Sequence, residues 1–171
     1  MLNIVLYQPE IAANCGNIVW TCASIGATLH LIHPLGFSLD EKAFQRAGMD
    51  YILDCKIVEY QSLEEFNQKN KNPRIFYVTR YGTRIYTEIE ADNPLEDYFL
   101  MFGKESSGIP YDVLKDHLND CYRIPMRANA RSLNLSNCVA LVGYEVMRQQ
   151  EFFDLASEET FKGADFLKNI K

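Results

Sequence analysis

The sequence predicts an α/β domain: a mostly parallel sheet flanked by helices. Three observations carry that prediction. Short apolar runs alternate with segments of helical period. The runs are apolar on both faces, as strands covered on both sides are. No internal repeat, low-complexity linker or break in composition divides the 171 residues, a length suited to one core.

In chain order, the predicted strands are LNIVLY (2–7), TLHLI (28–32), RIFYVT (74–79), DYFLMF (97–102) and CYRIPM (121–126). Helical patterns fall near 15–25, 41–47, 62–70, 110–118 and 135–150. Pro110, after Gly108-Ile109, suits the first position of a helix, where a missing N–H costs nothing. The expected division is a domain over residues 1–151 and a short helical extension over 152–171. Phe152, Phe153, Leu155, Phe161, Phe166 and Leu167 of the extension are available to dock.

Composition narrows the class. Apolar residues make up 47% and charged residues 23%, ordinary for a soluble globular protein. No apolar stretch approaches the ~20 residues of a membrane span. MLNIVLYQPE lacks the basic start and small-residue cleavage site of a signal peptide. The five cysteines are odd in number and widely spread, which suggests reduced thiols in the cytoplasm. A net charge of −6 argues against unselective polyanion binding. It leaves room for local basic surfaces at Arg123, Arg127 and Arg131, and at Arg74, Arg80 and Arg84. The acid is concentrated in EIEADNPLED (88–97) and in the C-terminal tail.

In open parallel sheets, ligands sit beyond the carboxyl ends of the strands. Three such ends carry unusual loops: Thr79-Arg80-Tyr81-Gly82, the turn Gly103–Gly108, and IPMRANARSLNLSN (124–137). One site built from all three is expected. FGKESSGIP lacks the Lys-Ser/Thr of a P-loop, NCGN is not a dinucleotide fingerprint, and G-x-S-x-G is absent. His30 and His33 have no third ligand in reach and suit core or surface histidines better than zinc. What remains is a cradle of glycine, hydroxyls and backbone. Gly103 and Gly108 let main chain approach a ligand closely. Backbone groups at Val78, Gly103 and Ile124 suit the edge of a purine and a ribose. Ser132 and Asn134 supply directed hydrogen bonds; with Ser136 they equally suit caps for the helix that follows.

Five segments, in order and spacing, resemble one family: LYQPEIAANCGNI, LIHPLGF, RAGMDY, FGKESSGIP and RIPMRANARSLNLSNCVALVGYE. The chain is similar over roughly residues 1–150 to the SPOUT class of RNA 2′-O-methyltransferases, in particular its TrmL (YibK/CspR-like) branch. The resemblance implies S-adenosylmethionine-dependent transfer of a methyl group to the ribose 2′-oxygen of the tRNA wobble nucleotide, a cytidine or uridine. It also implies a C-terminal trefoil knot, a homodimer with its active site near the interface, and no metal. By motif position, Val78, Gly103, Ile124 and Ser132 bind the methyl donor. Asn14, Glu105, Ser132 and Asn134 belong to the catalytic neighbourhood.

One position departs from the pattern. The family reads N-x-G-N-x-x-Arg in its first motif; here Asn14-Cys15-Gly16-Asn17 leads to Trp20, the only tryptophan. An indole carries one N–H donor and no basic site. Helical spacing sets Trp20 with Asn17 and Ser24, opposite Ile18, Cys22 and Ile25. Trp20 then stacks on a nucleobase or a partner subunit, or the chain is an impaired homologue that binds donor and tRNA without turnover. Arg131 is the first candidate to replace the arginine, with Arg46 second. A guanidinium stays protonated, so its role is to orient and stabilise an alkoxide; a phosphate clamp or surface ion pair is the alternative. Lys42 and Arg46 suit RNA backbone, or simply a solvated helix face. An unrelated α/β enzyme using a small nucleotide is a third reading, against which the missing glycine fingerprint counts.

Overall fold

The computed structural model describes residues 1–40, 42, 44, 46 and 54–170. Seven strands form one sheet: β1 (Leu2–Tyr7), β2 (Thr28–Ile32), β3 (Ile57–Tyr60), β4 (Arg74–Val78), β5 (Arg84–Ile85), β6 (Tyr98–Phe102) and β7 (Cys121–Arg123). Their spatial order is β3-β2-β1-β6-β4-β7-β5, and each neighbouring pair runs parallel. The helices are α1 (Ala12–Ile25), α2 (Leu63–Lys69), α3 (Tyr111–Asp116), α4 (Leu135–Gln149) and a single turn, α5 (Phe166–Asn169).

Both faces of the sheet are covered, as the doubly apolar strands require. Leu2, Ile4, Leu6, Leu29, Leu31, Phe76, Leu100 and Phe102 pack on one side with Ile18, Cys22, Val139, Val142 and Val146 of α1 and α4. Val5, Ile32, Tyr77, Phe99 and Met101 face the other side, with Phe66 of α2 and Leu114 of α3. Strand alternation and the helical stripe Val139, Val142, Val146 place these residues. The Ser62 hydroxyl caps α2 by accepting from Glu65 N–H at 3.1 Å.

Sequence and structure differ at the margins. The fifth predicted strand ends at Arg123, because Pro125 has no N–H for a ladder and Ile124 already leaves the sheet. Strands β3 and β5 were not predicted: β3 is four residues on a half-buried edge, and β5 only two. Pro110 is the N-cap of α3 rather than its first helical residue. Lys42, Phe44 and Arg46 are helical, as the pattern near 41–47 predicts; the rest of RAGMDY lies outside the described residues. Among the tail's described residues the one helix is the single turn α5. Phe152, Phe153, Phe161, Phe166 and Leu167 are exposed, and only Leu155 packs against the core.

The order of β4, β7 and β5 positions the site. Tyr122 pairs with Val78 on one side and Arg84 on the other. Residues 79–83 therefore pass over β7 to join two parallel strands, a crossing that usually takes about a dozen residues or more. The bridge lies directly on the strand: Thr79 N–H donates to Tyr122 O at 2.8 Å. A Cβ on Gly82 would sit 2.5 Å from the Tyr122 carbonyl carbon, so the crossing needs glycine there.

His30 is a core histidine. One ring nitrogen bonds the Tyr60 hydroxyl at 2.8 Å and the other the Asn3 Oδ1 at 3.0 Å. His33 bonds Glu59 at 2.8 Å at the surface. Burial pulls the His30 pKa down from 6.5 to about 4. The unfolded chain then binds a proton that the folded chain refuses. Stability is accordingly full above pH 6.5 and falls as the pH drops toward 4, by about 3 kcal/mol at ~1.4 kcal/mol per tenfold change in proton affinity. Urea unfolding of the parent and of His30→Gln at several pH values checks this: the variant loses part of the slope between pH 6.5 and 4.

Candidate active site

Because all strands point the same way, the segments after β1, β4, β6 and β7 emerge at one rim. They enclose a cleft of about 1080 Å³. Its wall includes Asn14 at the start of α1, Val78 to Tyr81, Gly103 to Tyr111, Ile124, Met126 and Arg131 to Leu135. The expected gathering of three loops at one site is met, and the N-terminus of α1 joins them.

Side-chain hydrogen bonds tie these segments together. The Glu105 carboxylate accepts from Glu10 N–H at 2.8 Å and from Asn14 Nδ2 at 2.9 Å. Asn14 is buried, and its Oδ1 accepts from Asn134 Nδ2 at 2.8 Å. Asn134 Oδ1 accepts from Ser136 N–H at 2.9 Å and from the Ser136 hydroxyl at 2.7 Å. A carboxylate only accepts, so Glu105 fixes which way the Asn14 amide faces, and Asn14 then fixes Asn134. Asn134 is thus both the N-cap of α4 and a member of the cleft; the two readings left open by the sequence coexist in one side chain.

A second carboxylate closes the turn after β6. Glu10 accepts from Ser106 N–H at 2.9 Å and from the Ser106 hydroxyl at 2.8 Å, and these bonds hold its pKa below the usual carboxylate range. The turn is tight. A Cβ on Gly103 would lie 2.0 Å from the Gly108 carbonyl carbon and 2.2 Å from Ile109 N. Gly108 itself takes φ of 76°.

The candidates singled out by sequence fall into two groups. Asn14, Val78, Gly103, Glu105, Ile124, Arg131, Ser132 and Asn134 all line the cleft. Trp20 does not; it is half-buried on the outward side of α1, with Asn17 and Ser24 exposed beside it. Lys42 and Arg46 are exposed and also lie outside the cleft wall, with Phe44 buried between them. Of the basic residues near β4 and β5, Arg74 pairs with Glu90 and Glu96, and Arg84 with Glu88. Arg80 alone of that group reaches the cleft.

Sequence reasoning missed the Glu10–Ser106 clamp and the tyrosine pair Tyr81–Tyr111. Neither has a local signal: the partners are 96 and 30 positions apart. The tyrosine hydroxyls are 3.1 Å apart, a bond that raises the Tyr111 pKa. The cysteines are free, as expected; Cys15 lies behind Asn14, where burial pushes its thiol up to about 12 and keeps it protonated. Among the described residues, no group of three or more His, Cys, Asp and Glu side chains is placed to hold a metal ion, and no helix is long and apolar enough to cross a membrane.

Chemically, the cleft joins an apolar floor (Val78, Phe102, Ile109, Ile124, Leu135) to a polar end (Asn14, Glu105, Asn134) and cationic side chains (Arg80, Lys104, Arg131). That suits a ligand with a flat apolar part and a polar, reactive end.

Known proteins resemble this chain in sequence and fold. The family model described as "SpoU rRNA Methylase family" matches residues 1–144. A Listeria monocytogenes protein provisionally named a tRNA (cytidine(34)-2′-O)-methyltransferase is 48% identical over 159 residues, covering 93% of this chain and 94% of the relative. The Escherichia coli tRNA (cytidine(34)-2′-O)-methyltransferase is 42% identical over 151 residues, 87% of this chain and 94% of the relative. A solved structure described as giving insights into the 2-OH methylation of C/U34 on tRNA superposes with a TM-score of 0.82 at 38% identity, covering 89% of this chain and 97% of that one.

Replacing Glu105 by Gln tests the hydrogen-bond chain. The amide turns an N–H toward either Glu10 N–H or Asn14 Nδ2, leaving a donor without an acceptor. The expected cost is about 1–3 kcal/mol, read as a lower thermal midpoint. An unchanged midpoint would mean that the chain does not hold the cleft together.

Proposed function

The chain belongs to the SpoU rRNA methylase family, and from that membership we propose that it is an S-adenosylmethionine-dependent tRNA 2′-O-methyltransferase acting on the wobble cytidine or uridine. The observation that carries the reading is the convergence of four segments on one cleft whose polar end is the Glu105–Asn14–Asn134 chain.

The methyl donor supplies an electrophilic methyl on sulfur, with a neutral thioether as leaving group, chemistry that calls for no metal. The residues present fit it. Val78, Gly103, Ile124 and Ser132 hold the donor, and the glycine turn at Gly103–Gly108 shapes the floor. Asn14 and Asn134 are positioning residues, because their amides are committed to each other and to Glu105 and Ser136. They fix Glu105 at the polar end. Arg131, exposed on the cleft wall, orients the ribose 2′-hydroxyl and stabilises the oxygen as its proton passes to solvent water. Arg131 thereby takes the part of the arginine that Trp20 replaces.

The chain over β7 supports a trefoil knot. Residues 79–83 form a loop across a strand that enters from far along the sequence, and residues 124–134 then run on at the same rim. The molecule acts as a homodimer. Leu141 and Tyr144 are exposed on α4 and offer an apolar surface for a second copy. Lys42 and Arg46 contact RNA phosphate. The enzyme works in the cytoplasm, and residues 152–171 extend beyond its catalytic domain of residues 1–151.

Two measurements test the reading. Calorimetry detects S-adenosylhomocysteine binding, and labelled donor delivers its methyl group to unmodified tRNA. Arg131→Ala lowers kcat/KM by about 10²-fold or more, as loss of a transition-state donor does. Binding without turnover in the parent would favour the impaired homologue, and activity gained by Trp20→Arg would locate the defect. No binding would overturn both.

A second prediction concerns assembly. Leu141→Glu together with Tyr144→Arg shifts the parent dimer to monomer in analytical ultracentrifugation; a monomeric parent would overturn the dimer.

A further inference from the structure

Two tyrosines at the mouth of the cleft have no part in the chemistry above. Tyr81 sits in the bridge over β7 and Tyr111 opens α3; both line the cleft and are 54% and 66% exposed. Their rings meet edge to face, with centroids 5.4 Å apart and planes at 84°. One hydroxyl donates to the other, and the edge-to-face meeting takes one ring face, which leaves the faces turned to the cleft mouth as a contact for a flat ligand. The Arg80 guanidinium lies 5.4 Å from the Tyr81 ring centre. Tyr81 is carried on tethered backbone: its N–H donates to the Thr79 hydroxyl at 3.3 Å, and Thr79 is tied to Tyr122; Tyr111 is the first residue of α3.

We propose that Tyr81 and Tyr111 are a stacking platform for an unpaired nucleobase of the RNA loop, next to the nucleotide being methylated, with Arg80 and Lys104 holding its flanking phosphates. The inference rests on the methyltransferase reading and adds substrate-positioning residues to it.

Three features select a nucleobase over the adenine of the donor or a protein partner. A small ligand in a cleft is typically about 70–90% enclosed, whereas these rings stand at the rim, too open to enclose one. Arg80, Lys104 and Arg131 line the same cleft, and no carboxylate ion pair holds any of them among the described residues. Three cations outside any carboxylate ion pair around one cleft, in a chain of net charge −6, suit the reception of a polyanion. Aromatic faces beside such cations are how proteins hold unstacked bases.

The test uses the full chain, an anticodon stem-loop carrying 2-aminopurine beside the target ribose, S-adenosylmethionine for turnover and S-adenosylhomocysteine for binding. In Tyr81→Ala and Tyr111→Ala the KM for the stem-loop rises about 5- to 150-fold, the range for loss of one stacked base. The stacking-induced quenching of 2-aminopurine falls with it. The S-adenosylhomocysteine dissociation constant keeps its parent value. Tyr81→Phe and Tyr111→Phe, which keep the ring faces, stay near the parent. Donor affinity that weakens in step with KM would assign the rings to the donor and overturn the proposal. So would alanine variants that match the parent in KM and quenching, and those would leave the methyltransferase reading standing. If the parent binds the stem-loop but does not methylate it, the methyltransferase reading fails alone. Fluorescence anisotropy of the same variants then decides the platform: weaker binding by the alanine forms supports it, and equal binding overturns it.

Discussion

Everything at the functional end of this molecule depends on one close approach: the main chain of residues 79–83 lying across Tyr122. A strand that pairs on both sides, with Val78 and with Arg84, leaves the chain no route between those residues except over the top. Gly82 makes the crossing sterically possible, and the Thr79–Tyr122 hydrogen bond holds it down. The crossing sets Val78, Arg80 and Tyr81 against the segment that follows β7, which brings Ile124 and Arg131 to the same rim. The turn after β6 then needs only to bend sharply, at Gly103, to complete the enclosure.

The sequence made the centre of the sheet legible and its edges less so. LNIVLY and TLHLI are buried along almost their whole length, and burial is what an apolar run encodes. Strand β3 carries Glu59 toward solvent, and β5 has two residues, too few for any period to show. The aromatic tail misled for a related reason: Phe161 and Leu167 are apolar without being interior. At the site, the motifs marked residues that line the cleft, because Gly, Ser and Asn in unusual loops have few purposes. They could not reveal which side chains are joined. Glu10 meets Ser106, and Tyr81 meets Tyr111, through the topology alone.

Charge follows the same division. The acidic run 88–97 supplies partners for Arg74 and Arg84, at the lower end of β4 and on β5. The cations of the cleft have no such partners among the described residues. A chain that is acidic as a whole therefore keeps three cations, Arg80, Lys104 and Arg131, outside any carboxylate ion pair among the described residues at the rim where the strands end.

The bonds from Ser136 through Asn134 and Asn14 to Glu105 all point the same way. Such a relay has a sense of travel, set by the carboxylate at its terminus, and it cannot be run in reverse. An aspartate in place of Asn134 would still begin the helix, yet it would bring two oxygens face to face at Asn14. Turning the Asn14 amide to relieve them would only move the same repulsion onto Glu105. Isosteric exchange, harmless at an ordinary helix start, is thereby forbidden here: the start of α4 and the carboxylate of the cleft have become a single unit of heredity.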